Sequence, residues 1–420
     1  MAKIKETLNK LNPWWKEELI INFKERDVYE EVSKFLELPQ IISFTGLRRV
    51  GKTSLMFKII KNYLDDKFNP LNIIYFSFDE FKEVELSEII KEYEGIMEKD
   101  FGKEKYLLLL DEIQKVSNWE SQLKAIYDLF KGKVKIIISG SESLFIRKKS
   151  KESLAGRIFE FKVELLSFKE FLIFKDFDYK KLNLNIHEKE LARLFNEYKL
   201  SLGFPELVNI KDKDIIRKYL KETILEKIIY NDLQKLFRIK DISIVESLIN
   251  ILIEEPGQII DMLNLARDLN ISRQTLSNYL NYLEKSFLIR KLYNFSKNKR
   301  KVERKLKKYY PGIISADLLF KEDEYSGSKV FEWLIVTQLK AEFFWRDVYK
   351  NEVDIILKEK PIEVKYGNLE FNGVIKFMKK FNVKKGYIIS KNKEQRQKIN
   401  GNIIEVIPAY KFLLRIDKTI

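Results

Sequence analysis

Gly46, Leu47, Arg48, Arg49, Val50, Gly51, Lys52 and Thr53 spell G-x-x-x-x-G-K-[ST], with Ser54 next in the chain. Each residue type supplies something that polyphosphate chemistry needs. Glycines let the backbone curl so that successive N–H groups face anionic oxygens. Lys52 brings a cation to the β- and γ-phosphates, and the Thr53 hydroxyl is a hard oxygen ligand for Mg²⁺. Gly46, Arg48, Arg49, Val50, Gly51, Lys52, Thr53 and Ser54 are therefore expected to hold the phosphates of ATP. Further on, "YLLLLDEIQKV" closes an apolar run with Asp111 and Glu112. Asp111 at a strand end would hold Mg²⁺ through its water shell, and Glu112 would polarise the attacking water. An acid pair that merely caps the next element is the alternative. "VKIIISGSES" then places Ser139 where a hydroxyl could sense the γ-phosphate or simply begin a turn.

A second constellation lies near the other end, in "NEVDIILKEKPIEVKYG". Its alternation reads as two strands, with Val353, Ile355, Leu357, Ile362 and Val364 on one face and Asp354, Glu363 and Lys365 on the other. A two-residue turn at Glu359–Lys360 would set Lys365 opposite Asp354 and Glu363 opposite Ile356. Two readings follow. Asp354 and Lys365 form a cross-strand ion pair worth a few tenths of a kcal/mol; or Asp354 and Glu363 bind Mg²⁺ or Mn²⁺, hard cations suited to oxygen ligands, while Lys365 positions or deprotonates a water for phosphodiester cleavage. A further acid from a helix would complete such a metal site. Glu332, inside the apolar run "SKVFEWLIVTQL", is the candidate, and Lys329 one turn earlier is its ordinary ion-pair partner.

The elements that must carry these residues divide the chain. Its 420 residues exceed one ordinary core. Apolar runs alternating with amphipathic helices fill residues 1–164, the pattern of an α/β sheet. A helical stretch follows at 165–239, broken by Gly203 and Pro205, then a compact helical segment with a basic extension at 240–309, and mixed helix and strand at 310–420. The chain contains no cysteine and one histidine, His187; thiolate and histidine chemistry are thereby disfavoured. No run of about 18 apolar residues suggests a membrane span, and the first residues lack an apolar signal core, so a cytoplasmic protein is expected. The net charge is +15, of which residues 281–420 hold +14. A one-sided excess of this size points to a polyanion, with DNA the leading partner.

The expected place for that contact is residues 258–290. Leu263, Leu265, Ala266 and Leu269 make one apolar face, "NIS" turns the chain, and Ser272 caps a second helix with Leu276, Leu280 and Leu283 inside. The outer face of that helix offers Arg273, Gln274, Ser277, Asn278 and Asn281, side chains that read base edges. Residues 290–308 then carry ten Lys or Arg and one acid, Glu303. This segment resembles a winged helix, a fold that also docks proteins.

The first half resembles the archaeal P-loop ATPases of the AAA-like, additional-strand class, through "NPWW", "TGLRRVGKTS", "LLLLDEIQKVSNWE", "IIISGSES", "SLAGR" and "GFPE" in that order. That resemblance implies a five-stranded parallel core with a helical lid. It also implies that Arg157 (or its competitor Arg147) supplies a charge to the γ-phosphate, in the same chain or from a neighbouring copy in a homo-oligomer. The helix Glu, "EVD" and "IEVK" pattern resembles the PD-(D/E)xK nuclease superfamily over about residues 310–420, with Glu332, Asp354, Glu363 and Lys365 in the motif positions. The expected whole is α/β: a P-loop NTPase sheet with helical lid, a winged helix, and a restriction-endonuclease-like α/β domain. ATP and Mg²⁺ are the expected cofactors, with nuclease activity and an inert, regulatory C-terminal domain as the two open outcomes.

Overall fold

A computed structural model of the chain describes residues 2–81, 84–140, 153–181, 183–233, 239, 241–304, 306–399 and 401–419. The chain forms two compact units, Met1–Leu165 and Leu166–Ile420.

Five strands build the first unit: β1 (Ile41–Thr45), β2 (Ile73–Ser77), β3 (Tyr106–Asp111), β4 (Val134–Ser139) and β5 (Ile158–Lys162). Their order is β2-β3-β4-β1-β5, and every neighbouring pair is parallel. Helices Lys52–Asp65 and Trp119–Leu129 follow β1 and β3. Strands covered on both faces need no polar alternation, which is why "IISFT" and "YLLLLD" are buried throughout. β5 lies at the edge, with only Phe161 of its five residues buried. Without an apolar run it carries no strong strand signal of its own. The parallel arrangement has one consequence for chemistry: the ends of β1, β2, β3 and β4 share one rim, so Thr45, Ser77, Asp111 and Ser139 lie along it.

The second unit opens with helices. Ser167 and Glu170 form a reciprocal capping box at the start of Phe168–Phe174, and Glu188–Ser201 follows. Helices Ile242–Glu254, Met262–Asp268 and Arg273–Lys285 come next. Nine strands then join in one sheet: β6 (Gln258–Ile259), β7 (Ile289–Asn294), β8 (Lys307–Pro311), β9 (Phe343–Arg346), β10 (Glu352–Leu357), β11 (Lys360–Lys365), β12 (Lys385–Ser390), β13 (Gln395–Ile399) and β14 (Asn402–Pro408). The order is β13-β14-β12-β11-β10-β9-β7-β8-β6. Parallel pairing of Tyr293 with Phe343 and Asn294 with Phe344 makes the sheet continuous from the hairpin β7–β8 into β9. Trp345, Val353, Ile356, Val374, Phe377 and Met378 form a buried cluster beside helix Asn372–Phe381.

Among the described residues no helix is long and apolar enough to cross a membrane.

Candidate functional site

The loop after β1 is shaped by its backbone. Gly46 has φ 144°, Arg49 61° and Gly51 99°. A Cβ at Gly46 would lie 2.2 Å from the Val163 carbonyl oxygen, so only glycine fits there. The loop ends at the N-terminus of the 14-residue helix Lys52–Asp65, whose leading N–H groups favour an anion. Lys52 is buried, and its Nζ donates to the carbonyls of Gly46 and Leu47, each at 2.9 Å. Val50 is buried, whereas Arg49, Thr53 and Ser54 are exposed and Arg48 is half-buried. Sequence reasoning missed Arg26. Its Nη1 donates to the Val50 carbonyl and its Nη2 to that of Glu164, both at 2.8 Å, bracing the loop from outside the motif. No periodicity or motif around "FKERDVYE" marks it.

Asp111, at the end of β3, is the hub of the rim. Its carboxylate accepts from the Thr53 hydroxyl at 2.7 Å, from the Tyr75 hydroxyl at 2.9 Å and from the Ser139 hydroxyl. Tyr75 also escaped notice, because "NIIYFSF" reads simply as a buried strand. Burial, followed by the Asp111 charge, holds its phenol far above the usual range. Glu112 takes a left-handed backbone with φ 57° and accepts from Gln114 Nε2 at 2.5 Å. Burial raises its carboxyl above the ordinary value, against the lowering pull of Lys52 and Arg48. Mg²⁺ with ATP fits this donor set: the Thr53 hydroxyl and Asp111 carboxylate adjoin at the mouth of the loop, beside a buried ammonium that now caps loop carbonyls.

Of the two placements open to Arg157, the geometry speaks against the one in its own chain. The residue precedes β5 and its carbonyl accepts from the Ile41 N–H, so it lies at the start of β1, whereas the phosphate loop follows the end of that strand. Five residues of strand separate the two rims, about 16 Å at 3.3 Å per residue. Its guanidinium is paired with Asp128 through Nε at 2.9 Å and Nη2 at 3.3 Å. Arg157 therefore does not reach the phosphates of its own chain. Arg147 lies outside the described residues.

The hairpin β10–β11 corrects an expectation. Lys358 and Glu359, with φ 47° and 62°, form the two-residue turn, one position earlier than expected. Leu357 then faces Lys360, and the fully buried Ile355 faces the fully buried Ile362. One step further in this register, Asp354 comes opposite Glu363 rather than Lys365. The pairing of β10 with β9 also shifts between Val353 and Ile356, so Asp354 sits in a bulge. Its Oδ2 accepts from the Val364 N–H at 2.9 Å. Lys365 pairs instead with Glu363 at 3.1 Å and Glu370 at 3.4 Å.

Glu332 projects from helix Glu324–Gln338 into the same pocket, a cavity of about 650 Å³ that Asp354, Glu363 and Lys365 also line. Its partners are not Lys329, which donates to the Pro256 carbonyl, but Tyr310, whose hydroxyl donates at 2.5 Å, and Lys308 at 3.5 Å. Lys308 is the residue that sequence reasoning misplaced. Its Nζ also meets Glu352 at 2.5 Å and Asp354 at 3.5 Å, so one buried ammonium is shared by three carboxylates. The signal was present in "KKYYP": if this is a strand, Lys308 and Tyr310 share a face. Burial would depress the Lys308 ammonium, but Tyr310, Glu332, Asp354 and Glu352 more than offset that and hold it high. Burial, then the charge of Glu332, pushes Asp354 up to about 6; burial, then Asp354, raises Glu363 well above the carboxylate range. Of the expected ligands, Glu332 and Asp354 thus share the Lys308 ammonium, while Glu363 is paired with Lys365. Among the described residues no group of three or more acids or histidines is arranged to hold a metal ion. The donor set as it stands does not fit Mg²⁺ or Mn²⁺.

The helix Arg273–Lys285 behaves as expected: Ser272 caps it, accepting from the Thr275 N–H at 3.0 Å, and Leu276, Leu280 and Leu283 are buried. Leu263 differs from its expected inward place and is 62% exposed. Arg273, Gln274, Ser277, Asn278 and Asn281 line a groove of about 1250 Å³, and Lys307 from β8 lines it too. Lys299, Arg300 and Lys301 are exposed beyond β7.

An uncharacterized protein of Methanocaldococcus jannaschii is 32% identical over 331 residues, 76% of this chain and 70% of its own. A second protein of that organism is 30% identical over 424 residues, covering 92% and 88%. The protein belongs to their family. Residues 38–172 match the model of an AAA domain, and residues 192–316 match a domain of unknown function (DUF8612). The family member described here thus carries an ATPase-like AAA domain, and Gly46–Ser54, Asp111, Glu112, Ser139 and Arg157 all fall inside it. Among solved structures, Cdc6p of Pyrobaculum aerophilum aligns at 10% identity over 76% of this chain and 97% of its own, with TM-score 0.32. AMPPCP-bound DnaA of Aquifex aeolicus aligns at 18% over 62% and 90%, with TM-score 0.29.

Proposed function

We propose that the protein hydrolyses ATP with Mg²⁺ and that its nucleotide state governs contact of the second unit with DNA. The observation that carries the ATPase reading is the rim itself: Thr53 hydroxyl and Asp111 carboxylate 2.7 Å apart, next to a buried lysine and the half-buried Glu112. Lys52 leaves the Gly46 and Leu47 carbonyls for the β- and γ-phosphates, and the loop N–H groups orient the polyphosphate. Thr53 and Asp111 would hold Mg²⁺, which would supply charge neutralisation at the phosphates when bound. Ser139 and Tyr75 fix the Asp111 carboxylate in place, leaving Glu112 to accept a proton from the attacking water. Arg157 is assigned only to the nucleotide of another copy.

The DNA reading rests on the groove along helix Arg273–Lys285 and on the exposed Lys299, Arg300 and Lys301 beside it. On a winged-helix reading, this region sets base-reading side chains next to phosphate-binding cations. ATP turnover of the whole chain should be measured with and without duplex DNA. Stimulation or inhibition by DNA, lost in Lys52→Ala together with all turnover, is the expected result. Turnover indifferent to DNA at low salt would refute the coupling.

A further inference from the structure

The pocket between helix Glu324–Gln338 and strands β10 and β11 concentrates more negative charge than a protein interior tolerates without a counter-ion. Glu332, Glu352, Asp354 and Glu363 all line it. Lys308 supplies a counter-ion. Lys308 Nζ lies 2.5 Å from Glu352, 3.5 Å from Glu332 and 3.5 Å from Asp354, reaching carboxylates that arrive from a helix and a strand. We propose that this ammonium is the resident cation of the Glu332, Glu352 and Asp354 carboxylates at the wall of the pocket, held where they would otherwise take a divalent metal, so that the C-terminal half of the sheet does not cut DNA.

Three features keep the ammonium there. Lys308 belongs to β8, which pairs on both sides, with Leu292 of β7 and Ile259 of β6, so its backbone cannot retreat. Its ammonium lies 5.7 Å from the centre of the Phe344 ring. Each carboxylate also has a further partner: Tyr310 donates to Glu332, Arg346 pairs with Glu352 at 3.4 Å, and the Val364 N–H donates to Asp354. A divalent cation needs carboxylate oxygens at about 2.0–2.6 Å from its centre. It would have to enter beside a buried positive charge and strip these partners away. Lys365, the residue that cleavage would need near a water, is held by Glu363 and Glu370. Strand β8 also turns Lys307 to the groove of helix Arg273–Lys285, so one strand serves the DNA-facing groove and the acidic pocket from opposite faces.

The test is Mn²⁺ binding to the nucleotide-free full chain, read by electron paramagnetic resonance and by calorimetry. Comparing each protein with its Asp354→Asn counterpart removes any contribution from Thr53 and Asp111. Wild type and Asp354→Asn should bind Mn²⁺ identically up to millimolar metal, and neither should nick plasmid DNA. Lys308→Met should gain one Mn²⁺ site, at least tenfold tighter than anything in wild type, which the added Asp354→Asn substitution removes. The same metal should raise the melting temperature of Lys308→Met and not that of wild type. Should Lys308→Met fail to fold, Lys308→Gln, which keeps a polar tip of similar reach, takes its place. An Asp354-dependent Mn²⁺ site or Asp354-dependent nicking in wild type would overturn the proposal. So would a folded Lys308 variant that gains no site, since the ammonium would then not be standing in for a metal.

Discussion

Replacing Glu112 with Gln isolates the chemical step of ATP hydrolysis from everything around it. The side chains are isosteric, and the hydrogen bond that the Glu112 carboxylate accepts from Gln114 at 2.5 Å is equally available to an amide oxygen. The left-handed backbone at φ 57° strains either residue alike. Folding stability should therefore move by no more than about 0.5 kcal/mol. Nucleotide affinity should also hold, because Lys52, Thr53 and the loop N–H groups are untouched. What disappears is a proton acceptor. Loss of a positioned general base typically costs about 10²–10⁴ in rate, or about 3–5 kcal/mol of barrier at 1.36 kcal/mol per tenfold. The assay is phosphate release at saturating ATP and Mg²⁺, with a fluorescent nucleotide reporting binding. The wild-type pH–rate profile adds a second reading: a base must be ionised, so turnover should fall as pH drops through a value raised above the ordinary carboxylate range by burial of Glu112. That acid limb should vanish from the residual rate of Glu112→Gln. Turnover within threefold of wild type would remove Glu112 from the mechanism and return it to the role of a capping acid.

Arg26→Ala removes two charge-assisted hydrogen bonds to the Val50 and Glu164 carbonyls. Denaturant unfolding should show a loss of about 2–4 kcal/mol and ATP affinity should fall with it, with Arg26→Lys recovering only part. Neutralising the exposed Lys299, Arg300 and Lys301 together should reduce the slope of log affinity for duplex DNA against log salt by up to about 3, and an unchanged slope would place the DNA elsewhere. Burial, followed by the Glu332 charge, pushes the Asp354 carboxyl up to about 6 in the folded chain, above its unfolded value. Its protonation therefore favours the fold below the unfolded pKa of about 3.9, and that contribution is lost as pH rises through 6, on the order of 2–3 kcal/mol. The stability difference between wild type and Asp354→Asn, followed by urea unfolding from pH 4 to 7, should turn against wild type across that window; a flat difference refutes the assignment.

The phosphate site was legible because its chemistry is local. A curled loop, a lysine and a threonine at fixed spacing need only the strand before and the helix after, and both announce themselves by apolar run and amphipathic period. The second strand was equally plain, since a parallel strand buried on both faces has no polar alternation to confuse it. Ser272, Leu276, Leu280 and Leu283 were readable for the same reason: capping and helical period are short-range rules.

Whatever depended on residues far apart in the chain was decided by the fold alone. Arg157 sits in a stretch that reads as catalytic, yet strand direction sets it at the opposite rim of the sheet from the phosphate loop. The hairpin letters were right and the register was not, because the turn at Lys358–Glu359 is selected by the facing of Ile355 and Ile362, and a one-position slip of the turn exchanges an Asp–Lys pair for an Asp–Glu pair. Lys308 is the clearest case. By composition it belongs to a basic, solvent-facing segment, and only the pairing of β8 within a sheet shared with β10 turns it inward to meet Glu332, Glu352 and Asp354. Local sequence sets which residues are available to chemistry; long-range strand pairing sets which of them meet, because a buried charge takes its character from partners the chain brings from elsewhere.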